Sequence, residues 1–174
     1  MIKGKKYVEL GTKNGINYRK EYFGLDFEYN DGGREKAGYK GDTGDCVVRA
    51  ISILTNLSYQ KVYDDMYAQT TEWRLQSNSK VAQTANPKND SPRTGVNKNV
   101  YKPYLEKLGY KWIPTMFVGK GCTVHLRKGE LPNGRLLVAV SKHLTTVIDG
   151  VLNDTYDCSR LATRCVYGYF VKGD

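Results

Sequence analysis

The sequence predicts an α+β fold: a cysteine-bearing helix packed on an antiparallel sheet, with a small β extension at the N-terminus. Three observations predict it. Leu136 to Val140 is an almost unbroken apolar run, the pattern of a strand buried on both faces. His143 opens a second extended run that stops at Asp149-Gly150, and Asp-Gly between β-branched residues signals a two-residue type I′ hairpin. Far upstream, Val47, Ala50, Ile51 and Leu54 recur at helical spacing just behind Asp45 and Cys46.

In chain order, Lys5 to Leu10 and Ile16 to Phe23 flank Asn14-Gly15, a second hairpin turn. Leu25, Phe27 and Tyr29 alternate with acidic residues, as in a half-buried strand. Residues 1–40 are therefore expected as an N-terminal β accessory segment, and 41–174 as the main domain of one compact unit. Asn30 to Gly44 reads as a loop. Asp45 is the expected N-cap of a helix ending near Asn56, and Ser58 caps a second helix with a Tyr59, Val62, Tyr63, Met66 and Tyr67 stripe. That stripe reads as core packing.

Gln76 to Asn99 is polar, carries Pro87, Pro92 and Gly95, and is expected to be a mobile loop or lid. A third helix is expected over Tyr101 to Leu108, with Pro103 in its first turn and Gly109 past its end. Tyr110 to Ile113 reads as a strand, Val118 to Arg127 as strand or irregular structure, and Val166 to Val171 as the closing strand.

Composition narrows the classes. No apolar run approaches a membrane span, and Met-Ile-Lys-Gly-Lys-Lys-Tyr has no signal core, so a cytoplasmic location is the default expectation. The net charge of +9 suits a soluble surface or a face that docks an acidic protein. Nucleic-acid binding lacks a dense basic run or an aromatic-basic signature to support it. Four cysteines, at 46, 122, 158 and 165, have no tight framework spacing and read as thiols. Cys122 and His125 with Cys158 and Cys165 offer a lesser reading, a structural zinc site, although six residues between the last two exceed the usual knuckle spacing. Otherwise His125 is a loop or surface residue or lines the cleft. No cofactor is called for.

The Asp149-Gly150 turn sets a register. Ile148 pairs with Val151, Val147 with Leu152, Thr145 with Asp154 and His143 with Tyr156. Strand alternation then puts His143, Thr145, Asp154 and Tyr156 on one face, with Asn153 pointing the other way. Asp154 lies diagonally from His143, at ~7–8 Å between backbones, a gap that polar side chains bridge. An imidazole with a carboxylate neighbour is a base fixed in tautomer and orientation. Cys46, in the first turn of a helix, sits at the positive end of the macrodipole, which favours thiolate. Unpaired N–H groups at that helix start suit an oxyanion.

The order Cys, His, Asp carries a resemblance. Gly44-Asp45-Cys46-Val47-Val48-Arg49-Ala50 and the segment His143 to Asp154 resemble the nucleophile helix and histidine hairpin of papain-like cysteine peptidases. The similarity is to the compact bacterial and phage branches, and to uncharacterised phage and prophage proteins with this helix start. Those two motifs cover about a fifth of the chain. The resemblance implies that Cys46 attacks a carbonyl, His143 shuttles the proton and Asp154 orients His143, with Tyr156 or Asn153 supporting them. It implies a peptide or isopeptide substrate and a location in the cytoplasm, in the host cytoplasm or on a virion. Papain-like enzymes place a Gln or Asn oxyanion donor several residues before the nucleophile. Here Tyr39-Lys40-Gly41-Asp42-Thr43-Gly44 precedes it, leaving Lys40, Thr43 or backbone N–H groups for that role. Loss of such a donor costs ~10²–10³ in turnover, so a slow or inactive enzyme stays open. A binding module on the same scaffold and a transglutaminase-like acyl transferase are the competing readings.

Overall fold

The computed structural model describes residues 1–41 and 43–173. The chain is α+β. Strands β1 (Lys6–Lys13) and β2 (Ile16–Phe23) form a two-stranded hairpin of their own, turned by Asn14 and Gly15, both at positive φ as type I′ geometry requires. Strand β3 (Asp26–Tyr29) leaves that hairpin and joins the central sheet.

Four helices follow: α1 (Cys46–Thr55), α2 (Tyr59–Gln76), the single turn α3 (Lys80–Gln83) and α4 (Lys98–Lys107). Then come β4 (Tyr110–Pro114), β5 (Arg135–Val140), β6 (His143–Ile148), β7 (Val151–Asp154) and β8 (Val166–Lys172). The central sheet has the order β3-β7-β6-β5-β8-β4 and is antiparallel except that β3 runs parallel to β7. Residues 1–40 thus supply both a separate hairpin and one edge of the main sheet. No described helix is long and apolar enough to cross a membrane.

Each face of the sheet buries its own core. Alternation along β5 sends Leu137 toward α1, α2 and α4, where it meets Ile51, Leu54, Met66 and Leu105. Leu136, Val138 and Val140 point the other way, against Leu126, Val147, Leu152, Cys158 and Val166. This explains the unbroken apolar run: β5 is central and covered on both sides. Helix α1 lies across β5 and β6, and the buried Thr146 hydroxyl ties it down by donating to the Ala50 carbonyl at 2.8 Å.

Several expectations need correction. Asp45 precedes α1 but its side chain does not cap it; the carboxylate is fully buried and engaged elsewhere. The third helix starts at Lys98, with the Asn97 side chain accepting from the Asn99 N–H, so Pro103 falls inside the helix rather than in its first turn. Residues 76–99 are not a bare lid. Helix α2 runs to Gln76, and α3 and two 3₁₀ turns at Pro87–Asn89 and Pro92–Thr94 fill the segment. Buried Asp90 holds it to α2 through a bidentate Arg74 pair at 2.8–3.1 Å, an anchor that polarity counting overlooks.

Four thiols were the cysteine expectation; Cys122 and Cys165 instead form a disulfide across 43 residues. That pairing also removes both sulfurs from any zinc set. The bond staples the irregular 115–131 segment to the start of β8, a contact between distant residues that no local spacing announces. His125 sits in this segment, bound to Glu130 through Nδ1 at 3.0 Å, away from the cleft described next.

Candidate active site

His143 is the first residue of β6 and Asp154 the last of β7, so the tight turn brings both to one end of the sheet. Asp149 at φ 47° and Gly150 at φ 78° make that turn, and Ile148–Val151, Val147–Leu152 and Thr146–Asn153 pair as the register requires. His143 Nε2 meets Asp154 Oδ2 at 2.7 Å, with both side chains nearly buried. The Tyr156 ring packs on the imidazole with centroids 5.4 Å apart.

Helix α1 delivers Cys46 to the same place as its first residue. Cys46, His143 and Leu144 line one cleft. Burial alone would push this thiol up. Hydrogen bonding from His143 and Leu144, with the charges of His143 and Arg49, more than reverses that and leaves it below its ordinary value. Burial likewise opposes the imidazolium, but Asp154, Cys158 and Cys46 raise His143 to about 12. Asp154 is pushed up by burial and brought below the usual carboxylate range by His143 and Arg49. All three shifts favour a thiolate–imidazolium–carboxylate array.

What holds the array is a buried charge network that the sequence reading did not find. Arg49, one turn after Cys46, donates from Nε to Asp45 Oδ1 at 2.9 Å and from one terminal nitrogen to Asp154 Oδ1 at 2.6 Å. The Tyr59 hydroxyl donates to Asp45 Oδ2 at 2.7 Å, and Arg34 stands 3.6 Å from the same carboxylate. Cys46 and Arg49 share one helix, so the guanidinium fixes where Asp154 lies relative to the sulfur. The signal was present in Gly-Asp-Cys-Val-Val-Arg-Ala: an acid and an arginine at i, i+4 within an otherwise apolar run are poor candidates for solvent.

Behind the ring lies Cys158, 1 % exposed. Its sulfur, a His143 ring nitrogen and an Asp154 oxygen lie within 4.8 Å of one another, the spacing of a three-ligand set. The Arg49 guanidinium already on Asp154 puts a fixed positive charge where a cation would need none, so the trio fits a proton-holding group better than a metal site. Cys158 is placed by unusual backbone: Arg160, Leu161 and Ala162 sit at φ 51°, 55° and 61°. Each costs ~1–2 kcal/mol. Arg164 holds this left-handed turn, donating to the carbonyls of Cys158 and Ser141.

A cleft of about 600 Å³ opens at Cys46 and His143, with Tyr101, Leu144, Gly95 and Asn97 among its walls. No protein-family model, curated protein or solved structure matches the chain.

The remaining candidates fall into two groups. Tyr156 stays with His143. Asn153 faces away, accepting from Asn30 at 3.1 Å, and takes no part in the array. Thr43 spends its hydroxyl on the Arg93 carbonyl, and Lys40 is exposed and outside the cleft lining. Neither is placed as an oxyanion donor. The first-turn N–H groups of α1 carry no side-chain cap and stay available. Tyr101, expected from the sequence only as the start of a helix, lines the cleft; burial and the Cys46 charge push its phenol up, keeping it a donor.

Proposed function

We propose that the chain is a thiol hydrolase of papain-like type that cleaves an amide bond in a peptide or isopeptide. The observation that carries this reading is that an imidazole held by Asp154 at Nε2 lines the same open cleft as the Cys46 sulfur, while Cys158, also at the ring, is buried away from that cleft. A buried structural cysteine needs neither a cleft nor an oriented base.

The thiolate of Cys46 adds to the substrate carbonyl, and the new oxyanion is met by the Cys46 N–H and the Tyr101 hydroxyl. His143 gives its proton to the leaving amine, which departs as the carbonyl re-forms a thioester. Water then enters, His143 takes a proton from it, and the thioester breaks to release the acid and restore the thiolate. Asp154 keeps the ring in place and stays ionised throughout. The Cys122–Cys165 disulfide weighs toward an oxidising compartment as the place of action, against the cytoplasmic default.

Activity-based labelling tests the reading. A peptidyl electrophile at neutral pH should label the wild type at Cys46, fail on Cys46→Ala, and label His143→Ala at least ~10²-fold more slowly, the usual worth of a positioned base. Labelling that persists in Cys46→Ala would put the reactive thiol elsewhere.

A further inference from the structure

The charge of the cleft is one-sided. Its described lining carries two lysines, Lys98 and Lys142, and no carboxylate. Lys98 opens α4, and Lys142 is the second residue of the β5–β6 turn, immediately before His143. Lys3 and Lys128 have a carboxylate partner in Asp26, Lys6 in Glu21 and Lys61 in Asp65. Among the described residues Lys98 and Lys142, like most lysines of the chain, have none, and what sets them apart is that both line the cleft that holds the Cys46 sulfur.

Lys142 carries a second mark. Its φ is 55°, a left-handed conformation at which glycine or asparagine is the ordinary choice. A glycine there would turn the chain with less strain. Backbone strain kept beside a reactive pair points to a side chain in use. Val47, Val96, Ala139, Val140 and Leu144 give the same cleft an apolar wall.

We infer that the cleft selects acidic polypeptide: an apolar residue seated next to the scissile amide, with aspartate or glutamate on the flanking positions facing Lys98 and Lys142. This rests on the thiol-hydrolase reading and narrows its substrate. Unpaired ammonium groups at the mouth of a low-dielectric cleft raise the local concentration of anionic segments and repel cationic ones. The chain's net charge of +9 acts in the same direction at longer range.

Two peptidyl electrophiles, identical except for glutamate or lysine on both flanks of the reactive residue, give the test. The reading is the ratio of their labelling rates at Cys46 within one protein, which cancels any change in the thiol itself. In low salt the wild type should favour the acidic probe by ~10-fold or more, and the ratio should shrink as salt is added. Lys98→Glu combined with Lys142→Glu should invert it. Lys142→Gly, which suits the turn, should keep or raise the melting temperature while cutting the ratio several-fold. Equal rates for both probes in the wild type, or a ratio untouched by these substitutions, would overturn the inference and leave the hydrolase reading standing. Absence of Cys46 labelling by either probe and by neutral iodoacetamide would instead overturn the reading on which it rests.

Discussion

Replacing Arg49 with methionine is expected to cost ~3–5 kcal/mol of folding stability in urea titration, the scale for breaking a buried ion pair by removing one partner. The residue is 5 % exposed and its guanidinium bridges two carboxylates on residues that are no better hydrated, Asp45 at 0 % and Asp154 at 2 %. Burial works against the guanidinium's charge, and Asp154 and Asp45 more than restore it. Methionine fills the volume but takes the shared guanidinium from both anions, leaving Asp45 to Tyr59 and Arg34 and Asp154 to His143. Arg49→Lys keeps the charge and loses the fork, so it should fall between the two, since one ammonium cannot reach both carboxylates with the same geometry. Indifference to both changes would mean that the network does not hold the site.

Asp154→Asn should leave the fold close to intact and, on the proposed thiol-hydrolase reading, lower the Cys46 labelling rate by ~10⁴-fold, as expected when the orienting carboxylate of a triad is neutralised. Asparagine retains the shape, and Arg49 retains Asp45. What disappears is the charge opposite the imidazolium, so His143 falls from its raised value and stops stabilising the Cys46 thiolate. The same substitution has a pH signature in stability. A carboxylate held below its unfolded value contributes stability above about pH 3.9, lost as pH falls through the folded value. His143, held above about 6.5, contributes fully below that pH and loses its contribution as pH rises toward about 12. Wild type and Asp154→Asn should therefore differ most near neutral pH and converge in strong acid. A difference that persists unchanged into acid would show that the carboxylate's charge is not what matters.

The sequence revealed the turn and what depends on it. Asp149-Gly150 fixes the register, the register puts His143 and Asp154 at one strand end, and Cys46 announces itself by opening an apolar-periodic helix. All of this follows from short-range chemistry. The supporting groups were hidden because each depends on tertiary burial. Asp45 looks like a cap until Arg49, Tyr59 and Arg34 converge on it, and Cys158 looks inert until the left-handed turn at 160–162 presses it to the ring. The parallel β3–β7 pairing joins residues 125 positions apart, as Asp26 to Val151, and the Cys122–Cys165 bond spans 43, both beyond any local signal. Pro103 misplaced the third helix because its usual home is a first turn, whereas Asn97 supplies the cap further upstream.

The state of the Cys46 sulfur decides the account. Thiolate ultraviolet absorbance, followed against pH and taken as wild type minus Cys46→Ser, reads it directly. A depressed thiol beside a raised imidazole makes an ion pair over the range between the two values, so the difference signal should rise below the ordinary thiol value of about 8.5. In His143→Ala, burial is opposed only by the Leu144 N–H and the Arg49 charge, and the signal should move to higher pH. A Cys46 that titrates at or above about 8.5 in the wild type, unmoved by loss of His143, would contradict the array on which the function rests.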